Sequence, residues 1–172
     1  VSTIFAVAFG TLTAYVFSRF KVKAKDDLMF FILSTRMLPP IVVVIPLFVM
    51  YRATGLYDTH PGLILLYTAF NLSFAVWLMK GFIDEIPVEY EEAAMVDGYS
   101  RLAAFVKVVL PQAATGMAAT AVFSLITAWN EFVFAMILTS SKARTAPPAI
   151  AGAMGSAGIN WGQIGAGATI FL

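Results

Sequence analysis

Long apolar segments separated by short charged loops leave this chain few folds to choose from. From about Gly62 to Phe82 the only charge is Lys80. Roughly 20 apolar residues in a row match the hydrocarbon thickness of a bilayer when they are helical. Four more segments read the same way: about Val1 to Phe17, about Leu28 to Met50, about Ala113 to Leu138, and one that begins near Ile159. Hydrophobic residues make up 60% of the chain and charged residues 12%, the latter about half the fraction usual in soluble domains. The expected fold is all-α, a polytopic transmembrane helical bundle.

Val1 is not an initiator methionine, no basic leader precedes the first apolar residues, and the chain stops inside the run Ala168-Thr169-Ile170-Phe171-Leu172. The expected unit is residues 1–172 as a partial transmembrane domain, truncated at both ends. Pro39-Pro40 and Pro46 interrupt segment two. A span tolerates such breakers where protein or a water-lined cavity covers the freed carbonyls. Basic residues orient the segments. Arg19, Lys21, Lys23 and Lys25 lie between segments one and two, and Lys80, Arg101 and Lys107 between three and four, whereas the opposite loops hold Arg52, Lys142 and Arg144. Seven against three puts the loops after segments one and three in the cytoplasm.

The interval from Asp84 to Lys107 is the longest polar stretch in the chain. Pro87 suits the first turn of a helix, where its missing N–H costs nothing. Val88 to Val96 then reads as that helix, with Tyr90, Ala93 and Ala94 near one face and Glu89 and Glu92 on a more polar side. Asp97-Gly98 is a turn signal, with Gly98 free to take a positive φ. Ser100 can cap a second helix from Arg101, which Leu110-Pro111 ends or bends into segment four. On residues alone, this element is either a docking surface for a partner outside the membrane or a surface linker with ordinary caps.

Within the segments, Trp129-Asn130-Glu131 is expected well inside segment four, and Asn71 and Ser73 inside segment three. Each is open to two readings: contacts along a translocation pathway, or hydrogen-bonded glue between helices. Arg36, near the cytoplasmic end of segment two, reads as an arginine that snorkels to the headgroups in preference to a gate. Trp161 fits an interfacial belt, the loop from Thr139 to Asn160 faces either a partner or solvent, and Gly158 and Gly162 form one Gly-x-x-x-Gly spacing.

Other classes are excluded or disfavoured. A net charge of +1 gives no basic field for nucleic acid. Cysteine is absent, and the single histidine, His60, sits beside Pro61 in a short polar loop. No Gly-x-x-x-x-Gly-Lys-Ser/Thr loop occurs, so any nucleotide site must lie on another chain.

The polar interval resembles the loop shared by inner-membrane permease subunits of binding-protein-dependent ABC importers. That pattern is Glu-Ala-Ala, three residues, Gly, nine residues, an aliphatic residue, one more residue, then Leu-Pro. Here it is Glu92-Ala93-Ala94, Gly98, Val108, Leu110 and Pro111. Ala14-Tyr15-Val16-Phe17-Ser18-Arg19-Phe20, Asn71 to Gly81 with Trp77, and Ala128-Trp129-Asn130-Glu131-Phe132 are similar to the branch related to the maltose-system permeases. Ser34-Thr35-Arg36-Met37-Leu38-Pro39-Pro40 resembles the sugar or polyol members.

The resemblance implies a permease of about six spans, and a cytoplasmic coupling loop at 84–110 whose short helix docks in a groove of an ABC ATPase dimer. Glu92 would make polar contacts there, Ala93 and Ala94 would pack, Gly98 would supply the turn, and Leu110-Pro111 would join the lever to segment four. It further implies a second permease subunit in a heterodimer, an extracytoplasmic substrate-binding protein, a bacterial inner-membrane location, and no catalysis or cofactor in this chain. ATP and Mg would belong to the partner ATPase. An ABC permease for another substrate class is the nearest alternative. A proton-coupled carrier working through Glu131 is a further one, and it leaves the Glu92 loop unexplained.

Overall fold

The computed structural model describes residues 1–152, 154–155, 158–159 and 161–171. The helices are α1 (Ser2–Arg19), α2 (Lys25–Ser34), α3 (Pro40–Thr54), α4 (His60–Asp84), α5 (Val88–Val96), α6 (Arg101–Ala104), α7 (Leu110–Gln112), α8 (Ala114–Trp129), α9 (Val133–Leu138), α10 (Ala146–Ala151) and α11 (Trp161–Phe171). A two-stranded antiparallel ladder, β1 (Met154–Gly155) with β2 (Gly158–Ile159), is the only sheet among the described residues. The fold is all-α apart from that ladder. Among the described residues α4 alone is long and apolar enough to cross a membrane by itself. Lys25–Met37 with Pro40–Thr54, and Arg101–Gln112 with Ala114–Trp129, reach that length and composition only as pairs.

The chain divides into two compact units, one made of Val1–Met37 and Tyr67–Ala128, the other of Leu38–Leu66 and Trp129–Leu172. In the first, α1 and α4 run parallel. The Thr68 hydroxyl donates to the Ser2 carbonyl (3.5 Å), and the Ser18 hydroxyl donates to Asp84 (2.6 Å) sixteen residues on along both helices. Between these points Gly10 lets the backbones close up, since a Cβ there would stand 2.7 Å from the Ala75 Cβ. Helix α8 returns antiparallel to α4, with Gly116 against the Phe82 ring and Phe123 edge-on to Phe74 at 6.0 Å. The core at the far end of α1 and α4 joins Ala14, Tyr15, Met79, Ile83, Ile86, Phe105, Val109 and Ala113.

Between α6 and α7 the helix widens to i→i+5 hydrogen bonding over Phe105–Val109, where the Leu110 N–H reaches the Phe105 carbonyl. Pro111 explains why the helix opens ahead of it. It has no N–H for the carbonyl four residues back, and its ring would strike that carbonyl in a regular helix, so the preceding turn opens. The chain then bends by 69° into α8.

In the second unit α3 packs on α9, and buried Tyr51 donates to the Gly62 carbonyl (3.0 Å). Two expectations change here. Segment four is not one helix: α8 stops at Trp129, and α9 starts at Val133. Gly158 and Gly162 do not share a helix face, because Gly158 lies in β2 and Gly162 in α11. Asn160 and Leu172 lie outside the described residues.

Candidate functional site

The polar interval folds from local signals. Pro87 sits at φ −57°, ψ 131° as the cap residue before α5. At the other end the Gly98 N–H bonds the Met95 carbonyl (3.1 Å), and the Tyr99 N–H bonds the Ala94 carbonyl (3.0 Å). That reciprocal pair closes a Schellman turn, which needs a left-handed residue, and Gly98 takes it at φ +91°. Ser100 then caps α6, its hydroxyl accepting from the Ala103 N–H at 3.3 Å.

The α5 helix has two unlike faces. Glu92 and Ala93 are exposed, along with Tyr90, Leu102 and the 87%-exposed Val96. Apolar side chains left open on a charged surface mark a place for contact. Ala94, expected on the outward face with Ala93, is turned inward and buried. Leu110 packs on the core cluster, and Pro111 is exposed.

Glu91 carries the inward face of α5, and no motif in the sequence marks it. It is 3% exposed, and its carboxylate forms an ion pair with the Arg19 guanidinium while accepting from the Tyr15 hydroxyl at 2.8 Å. Arg19 spends its remaining donors on the Ile83 carbonyl (3.1 Å), the Ile86 carbonyl (2.7 Å) and the Ser18 hydroxyl (3.0 Å). Ile83 lies in the last turn of α4 and Ile86 just beyond it, where a helix presents the negative end of its dipole, so a cation is well placed there. Tyr15 and Arg19 lie one turn apart on α1, so both reach the same carboxylate. The Tyr15 ring also packs on Phe105 at 4.4 Å between centroids. Lys80 pairs with Asp84 beside this network. No signal within 88–96 sets Glu91 apart from Glu92, because the sequence of α5 has no apolar side.

The candidates within the segments separate. Asn71 is buried, and its amide donates to the Tyr67 carbonyl (3.0 Å), while its Oδ1 has no hydrogen-bond partner among the described residues. Ser73 donates to the Phe70 carbonyl (3.2 Å) and borders a cavity of about 200 Å³ also lined by Thr13, Phe31, Thr35 and Leu72. The buried hydroxyls of Thr120 and Ser124 on α8 also lack partners among the described residues. Arg36 follows the end of α2, in the 3-10 turn Thr35–Met37, and turns its guanidinium onto α4 and not toward headgroups. Its guanidinium donates to the Phe70 carbonyl (3.3 Å) and lies over the Phe74 ring (5.0 Å), near the middle of α4.

Trp129, Asn130 and Glu131 belong to the other unit. The Trp129 ring stacks on Phe171 (5.2 Å), and its indole N–H donates to the Phe171 carbonyl (3.2 Å). Glu131, expected deep in one long helix, lies in the break and accepts from the Phe134 N–H (2.8 Å) and the Ala135 N–H (3.0 Å). It caps α9, giving two otherwise orphaned donors an acceptor.

Asp58, which no motif marks, stands between α3 and α4 at φ 55°. Its carboxylate accepts from the backbone N–H groups of Ser140, Ser141, Lys142 and Ala143 at 2.9–3.2 Å. Those donors hold its pKa well below the usual carboxylate range. Among the described residues no group of three His, Asp or Glu side chains could hold a metal ion.

The family model of the binding-protein-dependent transport system inner membrane component matches residues 6–172. The trehalose transport system permease protein SugB of Mycobacterium tuberculosis is 42% identical over 173 residues, covering 99% of this chain and 63% of the relative. The trehalose/maltose transport system permease protein MalG of Thermococcus litoralis is 34% identical over 170 residues, covering 98% of this chain and 61% of the relative. A solved bacterial ABC transporter involved in the import of the acidic polysaccharide alginate is similar in structure, with a TM-score of 0.68 and 27% identity over 98% of this chain and 62% of that one. The chain thus spans less than two thirds of the length of these relatives. Since the family model takes in nearly every residue, the chain belongs to the binding-protein-dependent transport system inner membrane component family.

Proposed function

We propose that this chain is the permease part of an ATP-driven importer for a sugar or polyol, and that residues 84–110 are its cytoplasmic coupling loop. The observation that carries the reading is the two-faced α5 helix: Glu92, Ala93 and Val96 turned outward, Glu91 and Ala94 turned inward. An outward face of carboxylates, one small residue and exposed apolar side chains suits docking into a groove on an ABC ATPase. Gly98 fixes the turn beside it, and Leu110-Pro111 leads into α8. ATP and Mg are used by that partner, whose closure shifts the permease between inward-open and outward-open packings. A second permease subunit completes a multi-span bundle in the bacterial inner membrane, and a binding protein delivers substrate on the other side. Family membership and the names of the trehalose and trehalose/maltose relatives support the substrate class.

The test uses the full-length permease with its partner subunits. Glu92→Ala and Gly98→Val should insert and pair normally, lose co-purifying ATPase and abolish uptake. Uptake that survives both substitutions and needs no ATP rules the reading out.

A further inference from the structure

We infer that Glu91, Arg19 and Tyr15 form the joint through which α5 moves the ends of α1 and α4. This deepens the coupling reading and rests on it. A nine-residue helix does not hold itself in water, so the direction of α5 is set by what it grips. Its one buried charge is Glu91. Both oxygens of that carboxylate are engaged, one by Arg19 and one by Tyr15. The same guanidinium holds the Ile83 and Ile86 carbonyls that follow the apolar length of α4. The Tyr15 ring rests on Phe105, the first residue of the widened turn before α7 and α8. Four pieces of chain therefore meet at one ion pair: α5, α1, the end of α4 and the turn toward α8.

Stability alone does not call for charge at this point. A buried ion pair is often no more stable than apolar side chains of similar volume, because both ions lose their water. Directional bonds differ from an apolar contact in fixing angle as well as distance. Apolar side chains would let α5 slip or rotate under load. Two bonds to one carboxylate, backed by two carbonyl bonds on the guanidinium, make α5 and the helix ends move together. Glu92 meets the partner, and Glu91 hands the displacement on.

The experiment uses the full-length permease assembled with its partner permease, ATPase dimer and binding protein in proteoliposomes, and reads substrate taken up per ATP hydrolysed. Arg19→Met with Glu91→Leu replaces the pair by apolar groups of similar size, so the chain keeps its packing. Tyr15→Phe removes one hydrogen bond and nothing else. Both variants should retain co-purifying ATPase and continuing hydrolysis. Transport per ATP should fall by about tenfold or more for Tyr15→Phe, the lower end of the scale of one hydrogen bond to a charged acceptor, and further in the double variant. A double variant that docks and transports per ATP like the unaltered protein overturns the joint and leaves the coupling reading standing. If the double variant does not assemble, an unchanged ratio in Tyr15→Phe overturns it alone. ATPase that fails to co-purify with the unaltered permease overturns both.

Discussion

Removing the Glu131 carboxylate should melt α9 locally, and the size of the effect follows from the cap. Glu131 accepts from the Phe134 and Ala135 N–H groups, and those residues are 3% and 0% exposed, so water cannot take its place. Glu131→Ala strands two buried donors at about 1–3 kcal/mol each, against which some relaxation must be set, for a net cost of about 2–4 kcal/mol. A six-residue helix has no reserve of its own, so the loss appears as local opening and not as global unfolding. Amide hydrogen exchange over 134–139 in the assembled protein should quicken by roughly 30- to 1,000-fold, the rate equivalent of that range. Glu131→Gln keeps an acceptor and loses the charge, so its effect should be about half as large in free energy. Unchanged exchange in Glu131→Ala refutes the cap. A Gln variant with full α9 protection but a raised KM for uptake would instead return Glu131 to the translocation pathway.

Asp58→Asn should lower stability at neutral pH. The folded-state pKa of Asp58 is depressed, so its contribution is fully present above the ordinary value near 3.8 and is lost as the pH falls below it; the gap between the two proteins in thermal unfolding should close in that direction and stay constant above it. Gly10→Val drives side-chain carbon into Ala75 and should cost about 1–3 kcal/mol in unfolding of the detergent-solubilised protein, with no change meaning that α1 and α4 do not pack closely there. Arg36→Lys gives up the planar stack on Phe74 and should cost about 1 kcal/mol by the same measurement, whereas an unaffected midpoint would restore the headgroup reading.

What could be read from the sequence was whatever is decided within a few residues. Pro87, Asp97-Gly98 and Ser100 act on their own turns, and α5 and α6 start and stop beside them. Glu91 escaped because its partner is 72 residues away, and nothing local separates a carboxylate that faces Arg19 from one that faces water. The break after Trp129 escaped for a different reason. Phe132-Val133-Phe134-Ala135 continues the apolar run with neither Gly nor Pro, so composition sees no interruption. Asn-Glu ahead of an apolar stretch is a helix-start signal even inside a hydrophobic segment. The widened turn was half legible: Leu110-Pro111 announced a bend, but which preceding residues would open depends on the packing of Phe105 and Val109 in the core.

Arg19 counts toward the proposed cytoplasmic side of its loop and is also held inside the fold, and the sequence cannot separate the two. It is one of seven basic residues whose count favours a cytoplasmic loop, and it is also buried in an ion pair. An orientation count treats such charges as equivalent, whereas the fold does not. Lys21, Lys23 and Lys25 stand within six residues of it and carry the same vote. Loss of Arg19 leaves six basic residues against three, a count that still favours the proposed orientation, while the proposed joint loses its centre. Neutral substitutions of Arg19 thus report on how α5 is held and leave the topology of the chain as it was. Such redundancy lets one arginine leave the surface: where several charges share a topogenic role, any one of them is free to be buried if a carboxylate and backbone carbonyls meet it there.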